Sequence, residues 1–389
     1  MPNKLPRPRL AIVVNSVVPG SGVANVARAQ AIGLTQYFDI ELLCANGSIE
    51  HPQINITHVK HLELYWLRRF GHVVREFMFC RRLSKALAQI QAINPVDFVL
   101  FHSHTSAALS VRKNLHGCPH GAVIHGDIFN RPKGTYDPLL THLYKWASKK
   151  VNRTADMIVA LAPGMHASLL QYGVKAEQIE VIPNGLGQSW LEPSTRAFDT
   201  HRANKILMIG RLSVEKDPLT LIRAMKLVAS HPQSSSATLN IVGDGPLREA
   251  CVKLIAELEL KDTVKMLGIT DAAQVKQLYC EHDILCVPSV SDPLPTVILE
   301  AMSQELAVVG ADTDGIPHMV LNDQTGLIVT PNQPAELAQA LIKLISAPAT
   351  VREYGKNGRD RMVAEFTLET SCAKLFNAIN KRIDSFNKH

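Results

Sequence analysis

Twice along this chain a short run of branched apolar residues ends in a glycine-containing loop that opens into a helix-length stretch, and the alternation then repeats. The first cycle begins with Leu10-Ala11-Ile12-Val13-Val14, the loop Pro19-Gly20-Ser21-Gly22 and a helical pattern over 23–34. The second begins with Lys205-Ile206-Leu207-Met208-Ile209-Gly210, a loop and a helical pattern over 218–230. Apolar runs this short read as buried strands, and a helix between successive strands returns the chain to the same end of the sheet, which makes the strands parallel. Further strands are expected at 38–44, 98–102, 122–125, 157–161 and 179–182, then at 239–242, 264–267, 284–287, 307–310 and 326–329. The fold class is therefore α/β, with two doubly wound, Rossmann-like domains.

Length agrees, because 389 residues exceed what a single hydrophobic core supports. The polar stretch 187–204, with Pro193, Ser194, Thr195 and Arg196, is the expected linker between a first domain over 1–186 and a second over 205–368. Ligands in open parallel sheets bind beyond the carboxyl ends of the strands, so the site is expected in a cleft across which the two domains face each other. With 46% hydrophobic and 20% charged residues the chain is neither disordered nor fibrous. Its 7 cysteines are odd in number, scattered and without a CxxC pair, against a disulfide framework or a zinc site. The N-terminus lacks the apolar run of a signal peptide, and no stretch approaches the ~20 apolar residues of a membrane span. A cytoplasmic protein with reduced thiols is expected.

Charge is unevenly placed: residues 1–190 hold 20 Lys and Arg against 11 Asp and Glu, and the remainder holds 21 against 24. Within 61–90, Arg68, Arg69, Arg75, Arg81, Arg82 and Lys85 alternate with Trp66, Phe70, Phe77 and Phe79. This pattern suits a helix lying on an anionic membrane surface, and equally an amphipathic helix whose apolar stripe faces the domain core. No nucleic-acid partner is expected, since neither an RNA-binding aromatic signature nor a DNA-reading helix accompanies the charge.

The chemistry-bearing residues lie mainly in the second half. After the strand at 284–287 comes Pro288-Ser289-Val290-Ser291-Asp292-Pro293-Leu294-Pro295-Thr296, then a helix containing Leu299-Glu300-Ala301-Met302. Pro295 suits a first helical position, after which free amides point outward toward an anion such as phosphate. Asp292 and Glu300 are carboxylates able to accept hydrogen bonds from adjacent hydroxyls, as sugars and ribose offer. In Gly210-Arg211-Leu212-Ser213-Val214-Glu215-Lys216-Asp217, Arg211 and Lys216 would converge on a diphosphate. Gly243 and Gly245 make a tight turn, and Gly268 at a strand end lets a flat base approach the backbone. His125 ends a strand, is followed by Gly126 and faces the expected cleft; His102 and His104 lack a third metal ligand and read as structural. The loop Gly20-x-Gly22-x-x-Asn25 lacks the third glycine of the dinucleotide fingerprint, and no acidic residue ends a strand about 20 positions on, against a dehydrogenase.

In their order along the chain, these residues resemble glycosyltransferase family 4, whose members have the GT-B fold, retain anomeric configuration, need no metal and use nucleotide-sugar donors. The most specific matches are Asp292 followed by Glu300 in Leu299-Glu300-Ala301-Met302, with Gly210-Arg211-Leu212 and Glu215-Lys216. Also similar are Gly20 to Gly22, Val123-Ile124-His125-Gly126, Ala155-Asp156-Met157-Ile158, Ile182-Pro183-Asn184-Gly185, Asp314-Gly315-Ile316-Pro317 and Thr325-Gly326-Leu327.

The resemblance implies a retaining transferase that moves a hexose from a UDP- or GDP-sugar to a hydroxyl of a glycan or lipid-linked glycan, in cell-surface polysaccharide or glycolipid synthesis. Arg211 and Lys216 would bind the diphosphate and stabilise the leaving group, with no metal or other cofactor. Asp292 would hold hydroxyls of the transferred sugar, Glu300 the ribose, and Leu294, Pro295 and Thr296 would line the phosphate and sugar. Gly22, Gly243 and Gly268 would let backbone approach the donor, His125 would sit at the sugar's reacting face, and the helix over 369–386 would cross back onto the first domain. The chain departs from the family pattern at Asp292, where Glu is commoner, at Gln304-Glu305, where a small residue and glycine are usual, at His318 in place of an acid, and at Gly187 in place of Asp. Two other readings share the fold: a sugar-nucleotide epimerase, and a nucleotide-sugar-binding protein without catalysis.

Overall fold

The computed structural model describes residues 7–18, 22–59, 71–110, 118–126, 138–192 and 202–388. It contains two compact units: the first runs to Asn184 and takes back the chain from Leu368, and the second spans Gly185–Thr367.

In the first unit, β1 (Arg9–Val13), β2 (Asp39–Cys44), β3 (Ile54–His58), β4 (Phe98–Phe101), β5 (His120–Ile124), β6 (Met157–Ala160) and β7 (Ile179–Val181) form one sheet in the order β3-β2-β1-β4-β5-β6-β7. All these pairings are parallel. The connecting helices are α1 (Gly22–Leu34), α2 (Gly71–Ile93), α3 (His104–Ser110), α4 (Pro138–Thr154) and α5 (Pro163–Gln171). Central strands read as unbroken apolar runs because helices cover both faces, and Leu10, Ala11, Ile12 and Val13 of β1 are fully buried. Strand β3 has no counterpart among the strands expected from the sequence. It is an edge strand reading Ile54-Asn55-Ile56-Thr57-His58, with only Ile54 fully buried, so it lacks the apolar run of a central strand.

The second unit repeats the plan with β8 (Lys205–Ile209), β9 (Thr238–Val242), β10 (Val264–Gly268), β11 (Ile284–Val287), β12 (Ala307–Ala311) and β13 (Gly326–Val329), ordered β10-β9-β8-β11-β12-β13. Its helices are α6 (Pro218–Ser230), α7 (Arg248–Glu257), α8 (Ala272–Glu281), α9 (Thr296–Ser303), α10 (Ile316–Met319), α11 (Pro334–Ile345) and α12 (Pro348–Glu365). Ile206, Met208, Leu221, Met225, Ile241, Ile284 and Leu341 form the core between sheet and helices.

Helix α13 (Leu368–Phe386) belongs to the first unit. Its Phe376 stacks on Tyr37 with ring centroids 4.3 Å apart and meets Phe38 edge-on at 5.5 Å. Ser371 donates to the Pro183 carbonyl at 2.7 Å, and Arg382 pairs with Glu180 at 2.9 Å. Gly33 of α1 allows this approach, since a Cβ there would come within 2.6 Å of Cys372 Sγ.

Of the basic segment 61–90, residues 61–70 lie outside the described residues. Farther along α2, Phe79, Leu83 and Leu87 are buried at four-residue spacing while Arg81, Arg82 and Lys85 are exposed, so this part of the helix turns its apolar stripe to the core. Of the expected linker, 193–201 lie outside the described residues. The part before it is tied to the second unit, with Arg359 donating to the carbonyls of Leu191 and Glu192 at 2.8 and 2.9 Å. All seven cysteines are free thiols, and burial pushes Cys44 up to about 11 and Cys118 to about 12.

The turn after α9 places Glu305 in the left-handed region at φ +61°, which explains why glycine is usual at this position. Against it packs Gly355 of α12, where a Cβ would lie 2.0 Å from the Glu305 carbonyl oxygen. Glu305→Gly is expected to raise the urea midpoint by relieving about 1 kcal/mol of strain. Gly355→Ala is expected to lower it by about 1–3 kcal/mol of overpacking, despite the better helix propensity of alanine. A lowered midpoint for the first variant or a raised one for the second would contradict this packing.

Candidate active site

In the second sheet the chain leaves β8 toward β9 on one side and later returns on the other to place β11 beside β8. The loops from the carboxyl ends of β8 and β11 therefore diverge from a shared edge, the crevice where open parallel sheets bind ligands. Here the two loops are stitched together, because the Glu215 carbonyl accepts the amides of Val290 at 2.8 Å and Ser291 at 3.4 Å. Asp217, at φ +45°, turns the chain into α6 and caps it by accepting the Thr220 amide at 3.2 Å. Lys216, held between these two residues, donates its Nζ to Asp292 Oδ2 in an ion pair. Asp292 is buried, and Lys216 is partly exposed. Arg211 is exposed, and its guanidinium has no hydrogen bond or ion pair among the described residues.

Pro295 does not occupy the first helical position expected from the sequence. At φ −67° and ψ 105° it is the N-cap, and α9 begins with Thr296. The ring fixes φ alone, and the extended ψ delays the helix by one residue. Intrahelical bonding starts with the Ile298 amide donating to the Pro295 carbonyl at 3.0 Å, so the amides of Thr296 and Val297 precede it and point out of the helix end. Leu294 is buried beneath this end, and Ser289 Oγ in the same loop is buried with no hydrogen-bond partner among the described residues.

Glu300 lies in the second turn of α9 and accepts a hydrogen bond from Tyr279 Oη at 2.9 Å. Burial pushes its carboxyl above the usual range, against the opposing effect of hydrogen bonds from Tyr279 and Thr296. Burial first, and the neighbouring Glu300 second, push the Tyr279 hydroxyl up as well. The Tyr279 ring meets Trp190 edge-on at 6.0 Å, so the chain before residue 193 braces the residue that holds Glu300. Sequence reasoning missed Tyr279, whose only signal, an aromatic on the apolar side of a helix, reads as ordinary core.

Strands β8, β9 and β10 are neighbours; Gly210 and Gly243 follow the first two, and Gly268 ends the third. Gly243, at φ +128°, donates its amide to the Gly268 carbonyl at 2.7 Å, and a Cβ on it would lie 2.0 Å from the Gly210 oxygen. With Gly268 at φ +74°, the carboxyl edge of these strands is a ledge of bare backbone.

In the first unit, Gly22 opens α1, and a Cβ there would meet nothing within 4 Å; residues 19–21 lie outside the described residues. His125 follows β5 and His102 follows β4, and the structure joins them: His102 Nδ1 lies 2.9 Å from His125 Nε2, with ring centroids 5.1 Å apart. The sequence reading separated these two histidines, because nothing in their spacing shows that β4 and β5 are neighbours. No cluster of metal-ligating side chains occurs among the described residues.

Two Rossmann-like units, each a parallel sheet with alternating helices, are the GT-B fold of glycosyltransferases. The chain belongs to glycosyltransferase family 4: residues 20–187 match the model of that name, and 196–361 match the glycosyl transferases group 1 model. It is 26% identical to an alpha-maltose-1-phosphate synthase of Mycolicibacterium smegmatis, over 73% of this chain and 80% of that protein. It is 24% identical to a glycogen synthase of Mycobacterium tuberculosis, over 81% of this chain and 76% of that protein. A sucrose-phosphate synthase from Thermosynechococcus elongatus has a similar fold, with TM-score 0.81 and 21% identity over 97% of this chain and all of that one. An Anabaena protein solved with UDP and glucose gives TM-score 0.74 at 19% identity, over 96% of this chain and 99% of that one.

Two measurements test this geometry. Lys216→Met leaves the buried Asp292 without its cation and is expected to cost about 1–3 kcal/mol of unfolding free energy. Adding Asp292→Asn should recover most of that loss; strictly additive losses would mean the pair is not formed. Glu300, with its proton held more tightly folded than the ordinary 4.5, favours folding at acid pH, and that contribution is lost as pH rises through the raised value. Glu300→Gln is therefore expected to gain stability over the wild type at about pH 7.5 but not at about pH 4, by denaturant titration at each pH. An equal difference at both pH values would contradict a raised pKa for Glu300 in the folded protein.

Proposed function

We propose that the protein is a retaining hexosyltransferase that takes a UDP- or GDP-sugar and transfers its sugar to a hydroxyl of a glycan or lipid-linked glycan. The Lys216–Asp292 pair, seated between the stitched loops and beside the start of α9, carries this reading. In the resting protein the two charges satisfy each other. On donor entry Lys216 turns to the diphosphate, joined by Arg211 and the amides of Thr296 and Val297, and Asp292 turns to the hexose hydroxyls. Glu300 takes the ribose hydroxyls, and the glycine ledge of Gly210, Gly243 and Gly268 passes beneath the base. Gly22 leaves room for the diphosphate.

As the bond from the anomeric carbon to the phosphate oxygen breaks, negative charge grows on the leaving diphosphate. Preorganised cations and helix amides stabilise it without a metal ion. The acceptor hydroxyl attacks from the face the phosphate leaves, and its proton passes to the departing phosphate oxygen, so configuration is retained. His125 attends the transferred sugar at this face. The family assignment and the relatives that act on sugars support the reading, as does the Anabaena neighbour solved with UDP and glucose.

The acceptor side of the proposal rests on charge. Helix α4 exposes Trp146, with Lys149 and Arg153 also exposed on it and Lys150 lying 5.7 Å over the indole. A basic helix with an exposed Trp suits an anionic membrane surface and a lipid-linked acceptor at its cytoplasmic face.

The first test is thermal unfolding with UDP, GDP and ADP, beside Glu300→Ala. A nucleotide at 100 times its dissociation constant adds about 2.7 kcal/mol, so one of them should raise the melting temperature of the wild type and not of the variant. No response to any nucleotide or nucleotide sugar would overturn the donor reading. Product NMR should show a retained anomeric configuration, and inversion would overturn the front-face path.

A further inference from the structure

His102 and His125 approach too closely to be independent. The 2.9 Å separation of His102 Nδ1 and His125 Nε2 is a hydrogen bond, so one nitrogen carries the proton and the other accepts it. His102 is the fixed member: its amide donates to the Val13 carbonyl at 2.9 Å, and its residue is 4% exposed. Burial, followed by the neighbouring His125, holds its pKa well below the ordinary histidine range, so His102 is neutral and has a single N–H.

Where that N–H sits follows from its other nitrogen. His102 Nε2 is buried and has no hydrogen-bond partner among the described residues. A proton on Nε2 would be an orphaned buried donor, whereas a proton on Nδ1 leaves only a bare lone pair at Nε2. Orphaned buried N–H groups are the rarer case. We propose that His102 is a positioning residue: its Nδ1–H donates to His125 Nε2 and so fixes His125 in the neutral tautomer that carries its proton on Nδ1.

This has a chemical consequence. With Nε2 occupied as an acceptor, His125 is not a general base through that atom. Its proton-bearing atom is then Nδ1, which makes His125 a donor, the polarity that suits a sugar hydroxyl oxygen. That consequence rests on the reading that His125 attends the transferred sugar; the tautomer assignment does not.

The experiment uses the full chain, uniformly ¹⁵N-labelled and without ligand, and reads two-bond ¹H–¹⁵N correlations of the imidazoles, with His125→Asn supplying the assignment. The wild type should show His125 protonated at Nδ1. His102→Phe keeps a ring but has no donor, and His125 should revert toward the Nε2–H form that free imidazole side chains favour. His102→Asn, whose side-chain amide can donate near the place of Nδ1, should restore the Nδ1–H form. A wild-type His125 protonated at Nε2, or a tautomer unchanged in His102→Phe, would overturn the proposal. Cooperative melting of both variants, with the wild-type nucleotide response, shows that they fold. In the transfer assay His102→Phe should lower kcat by about tenfold or more, as losses of orienting partners do, with the donor KM little changed and kcat recovered in His102→Asn. A shifted tautomer with unchanged kcat upholds the His102–His125 relay and instead retires the reading that His125 meets the sugar.

Discussion

The second unit depends on one backbone junction, at which the Glu215 carbonyl receives the amides of Val290 and Ser291. These loops are more than 70 residues apart in the chain and leave neighbouring strands at the crossover of the sheet, so without a tie they would diverge. The tie is main chain to main chain and therefore indifferent to the side chain at 215, which leaves the next residue, Lys216, to carry a charge into the site. Asp292 is buried there, and its ion pair with Lys216 satisfies both groups. A buried pair of this kind adds little net stability, since desolvation of the two charges opposes their attraction. Its effect is to hold both side chains in one orientation at the crossover of the sheet.

Glu300 has the complementary economy. The half-buried carboxyl accepts from Tyr279, which Trp190 meets edge-on, and burial raises its pKa at the expense of neutral-pH stability. The same surroundings fix its direction.

Much of this was legible in the sequence because central parallel strands are covered on both faces and must be apolar throughout. That is why 10–14, 157–161 and 284–287 stood out, while β3, an edge strand with one fully buried side chain, did not. The placement of Lys216 and Asp292 in strand-to-helix loops and of Glu300 in the helix after the second loop was legible too, while the roles expected of them came from the family resemblance. The contacts of Tyr279 and His102 were not legible, because each partner lies on a different element. Pro295 was read one residue too far into its helix, since a proline fixes φ and leaves ψ to the surrounding loop.

The sequence by itself determined the two α/β halves, the glycine-ended strands, the loops that carry cations and carboxylates, and the uneven charge, all of which are local or periodic properties. Tertiary structure alone decided that Lys216 meets Asp292, that Tyr279 holds Glu300, that His102 touches His125, and that Phe376 of α13 stacks on Tyr37. The physical reason is the same in each case: strand order and helix packing set distances between residues far apart in the chain, and one chain's periodicity contains no record of which strands become neighbours.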